Sequence, residues 1–569
     1  MATSPVPPSP ASRRAYPSRS AIALLPGVII LVGIVLTLWL QRFSQNGVVF
    51  SGDGGLKALL AQQIAQQLSA GDFPLDVSLR LPVADWIESL WQQGLYPFQP
   101  PFVYEMGTKH FITFPYTFPL VSAPFYALFG DRGLYIIPLV SLWAIWGRFW
   151  QIGRRASWGL GPLCIGLVSL IFASPLSLYG GMYWEHTLAV ALAFWGVSTL
   201  LFPGQPLLSR RQVVIGGVLI GLSVWFRPEF LCLVAAVGFL AAVGWWLPRW
   251  RLSRPLPFAK AALLVGSMIV TVGVFFALNK SIYGHPLGIH AIQIVEESTL
   301  KTQIIQAKAG YEQMLGSLVR YFPVAVFVGF AALVGLALRP RTEPLVEATA
   351  MDARKINPDP TPARFALALS ILFALSVPLI VPPGAGGKQW GPRFYLILVP
   401  LLSVVLAEQL QSPRFRSWTR RIALVGVAIA LALGIQLNTV NGMFKPFEQK
   451  QSISLMGNYR PIAPAIAELQ QQPLPWVAMS HEFVAQQLWS ALPEKTFFRT
   501  ESIAEVKQLA AALIAQNEGE FLYVCYPHRE CPTPDTAAND LRLDQGHTLK
   551  FVPLGTYGKY PLYRVEIDA

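Results

Sequence analysis

Residues 21–40 read "AIALLPGVIILVGIVLTLWL", and the chain leaves this run through "SGDGGLKALLAQQIAQQL" at 51–68. A helix over the first stretch rises about 30 Å, the thickness of a bilayer's hydrocarbon layer. The run is too long for the apolar core of a signal peptide and lacks a small-residue cleavage site, so it reads as a retained span. The second stretch then puts a carboxylate, Asp53, among glycines just where the chain leaves the membrane. Behind it comes an amphipathic helix, apolar at Leu56, Leu59, Leu60, Ile64 and Leu68, expected to lie along the interface. Asp and Gly are common turn residues, so the rest of the chain decides what Asp53 is for.

Hydrophobic residues fill 53% of the 569 positions and charged ones only 13%, about half the charged share of a soluble domain. Mean hydropathy is +0.45. Apolar runs recur at 21–41, 133–152, 161–181, 187–203, 212–226, 230–247, 260–279, 319–338, 365–381, 394–411 and 422–441. They predict a mainly α polytopic transmembrane bundle of about eleven spans, with its two ends on opposite sides. The net charge of +13 suggests nucleic acid until it is mapped. Arg13, Arg14 and Arg19 precede the first span. Further arginines, at 154/155, 210/211, 249/251/254, 339/341 and 414/416/420/421, fall in every second connection. This is the positive-inside pattern, which makes the N-terminus cytoplasmic and excludes a nucleic-acid reading of the charge.

The expected organisation is a flexible cytoplasmic tail at 1–20, a membrane domain at 21–441 with a large outer segment at 42–132, and an outer α/β domain at 442–569. In the last part, "PWVAMS", "KTFFRT", "EFLYVCYP", "HTLKFVPLG" and "YPLYRVEI" read as strands. "PIAPAIAELQQQ" and "IAEVKQLAAALIAQ" read as helices. Cys525 and Cys531 are six apart and can pair there or stay free; Cys164 and Cys232 lie within spans as packing residues. The Pro-rich stretch 340–364 is expected to be a flexible cytoplasmic linker.

Ionisable groups at membrane depth are costly, which makes them default site candidates. They gather on one side. Asp53 and Lys57 follow the first span, and Lys109 and His110 lie in the first outer segment. Glu185 and His186 join spans three and four; Arg227 and Glu229 join spans five and six. Lys388 and Arg393 precede span ten. Each has a plainer alternative. Asp53 can cap a helix starting near Gly55, Glu185–His186 can simply end two spans, and Arg227-Pro228-Glu229 can be a turn with a local ion pair. Lys388 and Arg393 can be interfacial anchors beside Trp390.

A cytoplasmic N-terminus, one span and a long outer segment opening on an Asp resemble the GT-C superfamily. These are multi-span glycosyltransferases using polyprenyl-phosphate sugars, among them protein O-mannosyltransferases and aminoarabinose transferases. "FPYTFPLVSAPFYALFG", "YWEHTLA", "GLSVWFRPE", "NKSIYGHPLG" and "GGKQWGPRFYLILVPLL" are similar to stretches of bacterial members, and the resemblance covers about 21–441. It implies sugar transfer with inversion on the outer, periplasmic face of the plasma membrane. The donor would be a polyprenyl-phosphate sugar; the acceptor a lipid, glycan or protein. Asp53 would be the catalytic base, with Glu185 a second acid in the next outer loop. Lys57, Lys109, His110, His186, Arg227, Glu229, Lys388 and Arg393 would bind substrate or its phosphate. Asp53-Gly54 lacks the adjacent second acid of several relatives, so no cofactor is assigned and a divalent ion stays open. The rival readings are a secondary transporter, a non-catalytic membrane scaffold with an outer binding domain, and a lipid-linked glycan polymerase or ligase.

Overall fold

A computed structural model describes residues 19–44, 47–81, 84–203, 208–246, 256–289, 300–337, 361–381, 390–411, 417–445, 459–529, 531, 540–543 and 546–568. The predicted tail 1–20 lies almost wholly outside them. So do the stretch 340–360 and Lys388.

The first three-quarters of the chain is helical, and each of the eleven apolar stretches contains a helix. Their lengths differ from expectation. Among the described residues five helical stretches are long and apolar enough to cross a membrane, or six with one bent pair counted as a span. Leu160–Ile171, His186–Leu201, Pro228–Val243 and Leu398–Gln411 are apolar but shorter. A 12-residue helix such as Leu160–Ile171 rises about 18 Å, well short of the hydrocarbon thickness. The predicted span 161–181 is one of these, broken at 172–175 before a second short helix, Leu176–Gly180. The sequence window merged two pieces that the chain bends apart. Apolar side chains such as Leu31, Val35, Ile269, Val270, Phe330 and Val425 point outward, more than half exposed, as lipid-facing positions do.

The C-terminal part is built on a six-stranded sheet, ordered β4-β3-β5-β8-β7-β6. Here β3 is Trp476–Met479, β4 Thr496–Arg499, β5 Glu520–Val524, β6 Asp540–Arg542, β7 Thr548–Tyr557 and β8 Tyr560–Asp568; a hairpin in the first connection supplies β1, Val103–Met106, and β2, Lys109–Ile112. β3 runs parallel to β4 and β5, while β5–β8, β8–β7 and β7–β6 are antiparallel. The helix Ile503–Ala515 starts at a capping box in which Ser502 and Glu505 bond each other's backbone N–H, satisfying two otherwise orphaned donors. It lays Val506, Leu509 and Leu513 on one sheet face, where Ile87, Leu90 and Leu95 of the first connection join them. Cys525 and Cys531 form a disulfide, with Cα atoms 5.5 Å apart. Cys164 and Cys232 are free thiols within helices.

The first connection and the C-terminal part are stitched together. Trp489 Nε1 donates to the Gly47 carbonyl at 2.7 Å, and Arg499 donates to Gln99 Oε1 and the Gly94 carbonyl. The Trp86 and Trp476 rings meet at 5.2 Å. Glu482 accepts the Gln99 N–H at 3.1 Å. Burial pushes its carboxyl from 4.5 up to about 7, against the lowering pull of that N–H and of Arg499. The sign is that of a raised acid. The folded chain holds this proton while the unfolded chain has lost it, so stability falls as pH rises from about 4.5 to 7. Glu482→Gln is therefore expected to flatten this part of a thermal-midpoint-against-pH curve and to raise the midpoint above pH 7. An unchanged slope would contradict it.

Candidate active site

The glycines around Asp53 answer to close packing. The helix begins at Gly52 rather than near Gly55, with Ser51 as N-cap and Asp53 in the first turn, so the plainer alternative of Asp53 as the cap does not hold. A Cβ on Gly52 would strike the Gln486 side chain, and one on Gly55 the Gln486 carbonyl oxygen. Only residues without a side chain let the helix Glu482–Gln487 approach so closely. The helix Gly52–Ala70 is consequently sandwiched, with Leu56, Leu59, Leu60 and Ile64 buried between that helix and the helix Thr117–Phe129. It does not lie free along the interface: its first half, Lys57 included, is buried, and only its second half exposes polar groups such as Gln66 and Ser69. Gly55→Ala, which pushes against backbone rather than a movable side chain, is expected to cost about 1–3 kcal/mol in thermal unfolding. Gly27→Ala, with nothing within 4 Å, should be neutral.

The first turn of this helix faces a buried chain of charges. Lys57 Nζ donates to Glu185 Oε2 at 2.5 Å. Arg227 donates to Glu185 Oε1 at 3.0 Å and to Glu229 Oε1 at 2.6 Å. The Lys57 and Glu185 side chains are 2% and 1% exposed, so each charge depends on its partner for the solvation water would give. Lys57 also lies 4.3 Å from the centre of the Phe114 ring. Arg393 and Arg227 share another ring, with guanidinium carbons 4.8 and 5.2 Å from the centre of Phe394. Asp53 interacts electrostatically with both Lys57 and Arg393. Asp53, Lys57, Glu185, Arg227, Glu229 and Arg393, spread over 340 residues of sequence, thus form one electrostatic network.

His186 sits against this network, its Nδ1 4.0 Å from Glu185 Oε1, too far for a hydrogen bond. Its ring packs on Tyr179 and Trp184 at 5.1 Å each, and neither nitrogen has a hydrogen-bond partner among the described residues. The same holds for Ser51 Oγ, Trp184 Nε1 and both amide atoms of Gln486, all buried. Trp184 meets Phe50, next to Ser51, at 5.8 Å, and Gln486 touches Gly52. These groups therefore surround the start of the Asp53 helix. A buried polar group without a partner costs about 1–3 kcal/mol, so such groups are few in native folds. Their concentration here marks the place where a polar ligand would be held.

Two candidates are placed elsewhere. Lys109 bonds Asp76 at 3.0 Å and is half exposed, and His110 stacks on Tyr96 at 4.0 Å; both belong to the β1–β2 hairpin. Lys388 lies outside the described residues. Gln486 is the residue that sequence reasoning passed over, although two glycines three apart in a helix already signal a close neighbour. Glu185 is committed to two cations, and among the described residues no group of three or more His, Cys, Asp or Glu could hold a metal.

No family model and no curated protein sequence matches the chain. Among solved structures it is similar to ArnT from Cupriavidus metallidurans bound to undecaprenyl phosphate. That likeness has 15% identity and a TM-score of 0.50, and covers 96% of this chain and 98% of the other. For the apo state of the same protein the values are 12%, 0.49, 96% and 98%. The apo oligosaccharyltransferase of Archaeoglobus fulgidus gives 12% and 0.44, over 89% of this chain and 70% of that one. The first likeness establishes a shared fold along almost the whole of both chains.

Proposed function

We propose that this chain is a multi-pass membrane glycosyltransferase of the GT-C type, moving a sugar from a polyprenyl-phosphate donor to an acceptor on the outer face of the plasma membrane. The observation that carries the reading is the buried network of Asp53, Lys57, Glu185, Arg227, Glu229 and Arg393. It lies in a fold whose solved neighbour is described with undecaprenyl phosphate bound. The alternation of arginines supports the orientation.

Asp53 takes the proton of the acceptor's nucleophilic group as that group attacks the anomeric carbon. The sugar–phosphate C–O bond breaks on the opposite face, which inverts the anomeric centre, and the bonding electrons leave with the phosphate. The leaving phosphate gains negative charge, and Arg227 and Arg393 meet it; arginine's planar fork suits phosphate oxygens. Glu185 holds Lys57 and Arg227 in place, so little reorganisation is left for the reaction step. His186 and Gln486 offer hydrogen bonds to the sugar or acceptor. The apolar outer walls of the helices suit a polyprenyl tail.

The test is reconstitution of the full chain in proteoliposomes with a panel of polyprenyl-phosphate sugars and an extract of envelope lipids and glycans. Transfer from at least one donor, with product of opposite anomeric configuration, is expected. Retained configuration would overturn the mechanism, and no transfer from any donor would overturn the reading.

A further inference from the structure

Away from the charge network, a polar cleft of about 310 Å³ opens between the first connection and the C-terminal part, lined by Gln62, Tyr126, Asp131, Gln470, Trp489 and Ser490. Gln62 and Asp53 lie nine residues apart on one helix, which at about 100° per residue sets them on opposite faces. The cleft is therefore not an extension of the Asp53 site. Four separate pieces of chain build it: the helix Gly52–Ala70, the end of Thr117–Phe129 with the turn after it, the helix Ala463–Gln471, and the turn at 489–491.

Its chemistry is selective. Two carboxamides, a carboxylate, a hydroxyl and a phenol supply donors and acceptors, while the Trp489 ring is buried in the wall behind them. Gln62 and Tyr126 face the cleft side by side. Trp489 is held by its bond to Gly47. Hydrogen-bonding capacity remains unspent: Ser490 Oγ is buried with no hydrogen-bond partner among the described residues, and the Asp131 carboxylate lines the same cleft. No lysine or arginine lines the cleft, so nothing there compensates a phosphate. The volume is at the low end of the about 300–1,000 Å³ of small-molecule pockets, enough for one small polar unit. Vicinal hydroxyls match side-chain amides, which accept and donate, and a carboxylate, which accepts in pairs.

We propose that this cleft is a second, saccharide-binding site that holds one neutral or amino sugar, supplied either by a soluble glycan or by a glycolipid headgroup. It carries no reaction, and it stands whether or not the chain is a transferase.

The experiment uses the full chain in nanodiscs without any donor. Saturation-transfer NMR and titration calorimetry are run with methyl glycosides of glucose and glucosamine, with glucose 6-phosphate, and with a glycolipid bearing the same sugars. Expected are binding of at least one uncharged or amino glycoside, at least tenfold weaker binding of the phosphate, and at least tenfold loss in Asp131→Asn and in Ser490→Ala. Asp53→Asn should bind as wild type does, which separates this site from the transferase reading. A glycolipid binding tenfold tighter than the glycoside assigns the sugar to a lipid carrier; equal binding assigns it to a soluble glycan. No glycoside binding to wild type, or equal binding by wild type and both cleft variants with unchanged thermal midpoints, overturns the proposal.

Discussion

Asp53→Asn is expected to lower sugar transfer by about 10²–10⁴-fold, the usual contribution of a general base, while leaving the protein folded. Asparagine keeps the size of the side chain and loses the ability to take a proton. It also removes a negative charge that interacts with Lys57 and Arg393, so donor affinity should rise or stay level rather than fall. A loss confined to turnover, measured by comparing kcat with the donor's KM, identifies a base. A matching loss of donor binding would instead make Asp53 a positioning residue, and unchanged turnover would remove it from the mechanism.

Glu185→Ala is expected to be the most damaging single change to stability. The carboxylate is 1% exposed and accepts from both Lys57 and Arg227. Taking it away strands Lys57 in a buried place and leaves Arg227 only Glu229. Breaking a buried pair by removing one partner costs about 3–5 kcal/mol, a large part of a domain's usual reserve of about 5–15 kcal/mol. Glu229→Ala should cost less, because Arg227 keeps its bond to Glu185. Adding Lys57→Met to Glu185→Ala should recover part of the loss, since the pair interacts directly and the two changes are not additive. Thermal unfolding of the wild type, Glu185→Ala, Glu229→Ala, Lys57→Met and the double variant checks this, and additive losses would contradict the pairing.

Much of the architecture can be read in the residues. Strands β3, β4, β5, β7 and β8 fall on the five runs picked out after residue 470, because each is a short apolar or β-branched stretch between turn-formers. The helices fall on the apolar windows, but their breaks do not show: the gap at 172–175 is apolar on both sides, so hydropathy passes over it. The span count of about eleven therefore depends on windows, whereas the chain folds several of them as short or bent helices. Arg227 and Glu229, two apart, were legible as a local pair. Lys57 and Glu185 were each visible as costly charges, yet nothing in a sequence pairs residues 128 apart. Lys109 and His110 looked equivalent to them and instead meet Asp76 and Tyr96, which precede their hairpin in the same outer segment. Gln486 lies in the part to which the family resemblance gave no role, and only the glycines opposite it announced a neighbour.

The central claim is that these scattered charges make one binding place for a lipid-linked phosphate. An experimental structure of the full chain with polyprenyl phosphate in a lipid nanodisc tests it most directly. The account predicts phosphate oxygens within hydrogen-bond distance of both Arg227 and Arg393, with the Asp53 carboxylate facing the side on which the sugar would be attached. A phosphate bound elsewhere, with Arg393 turned away from it and Asp53 remote, would contradict it.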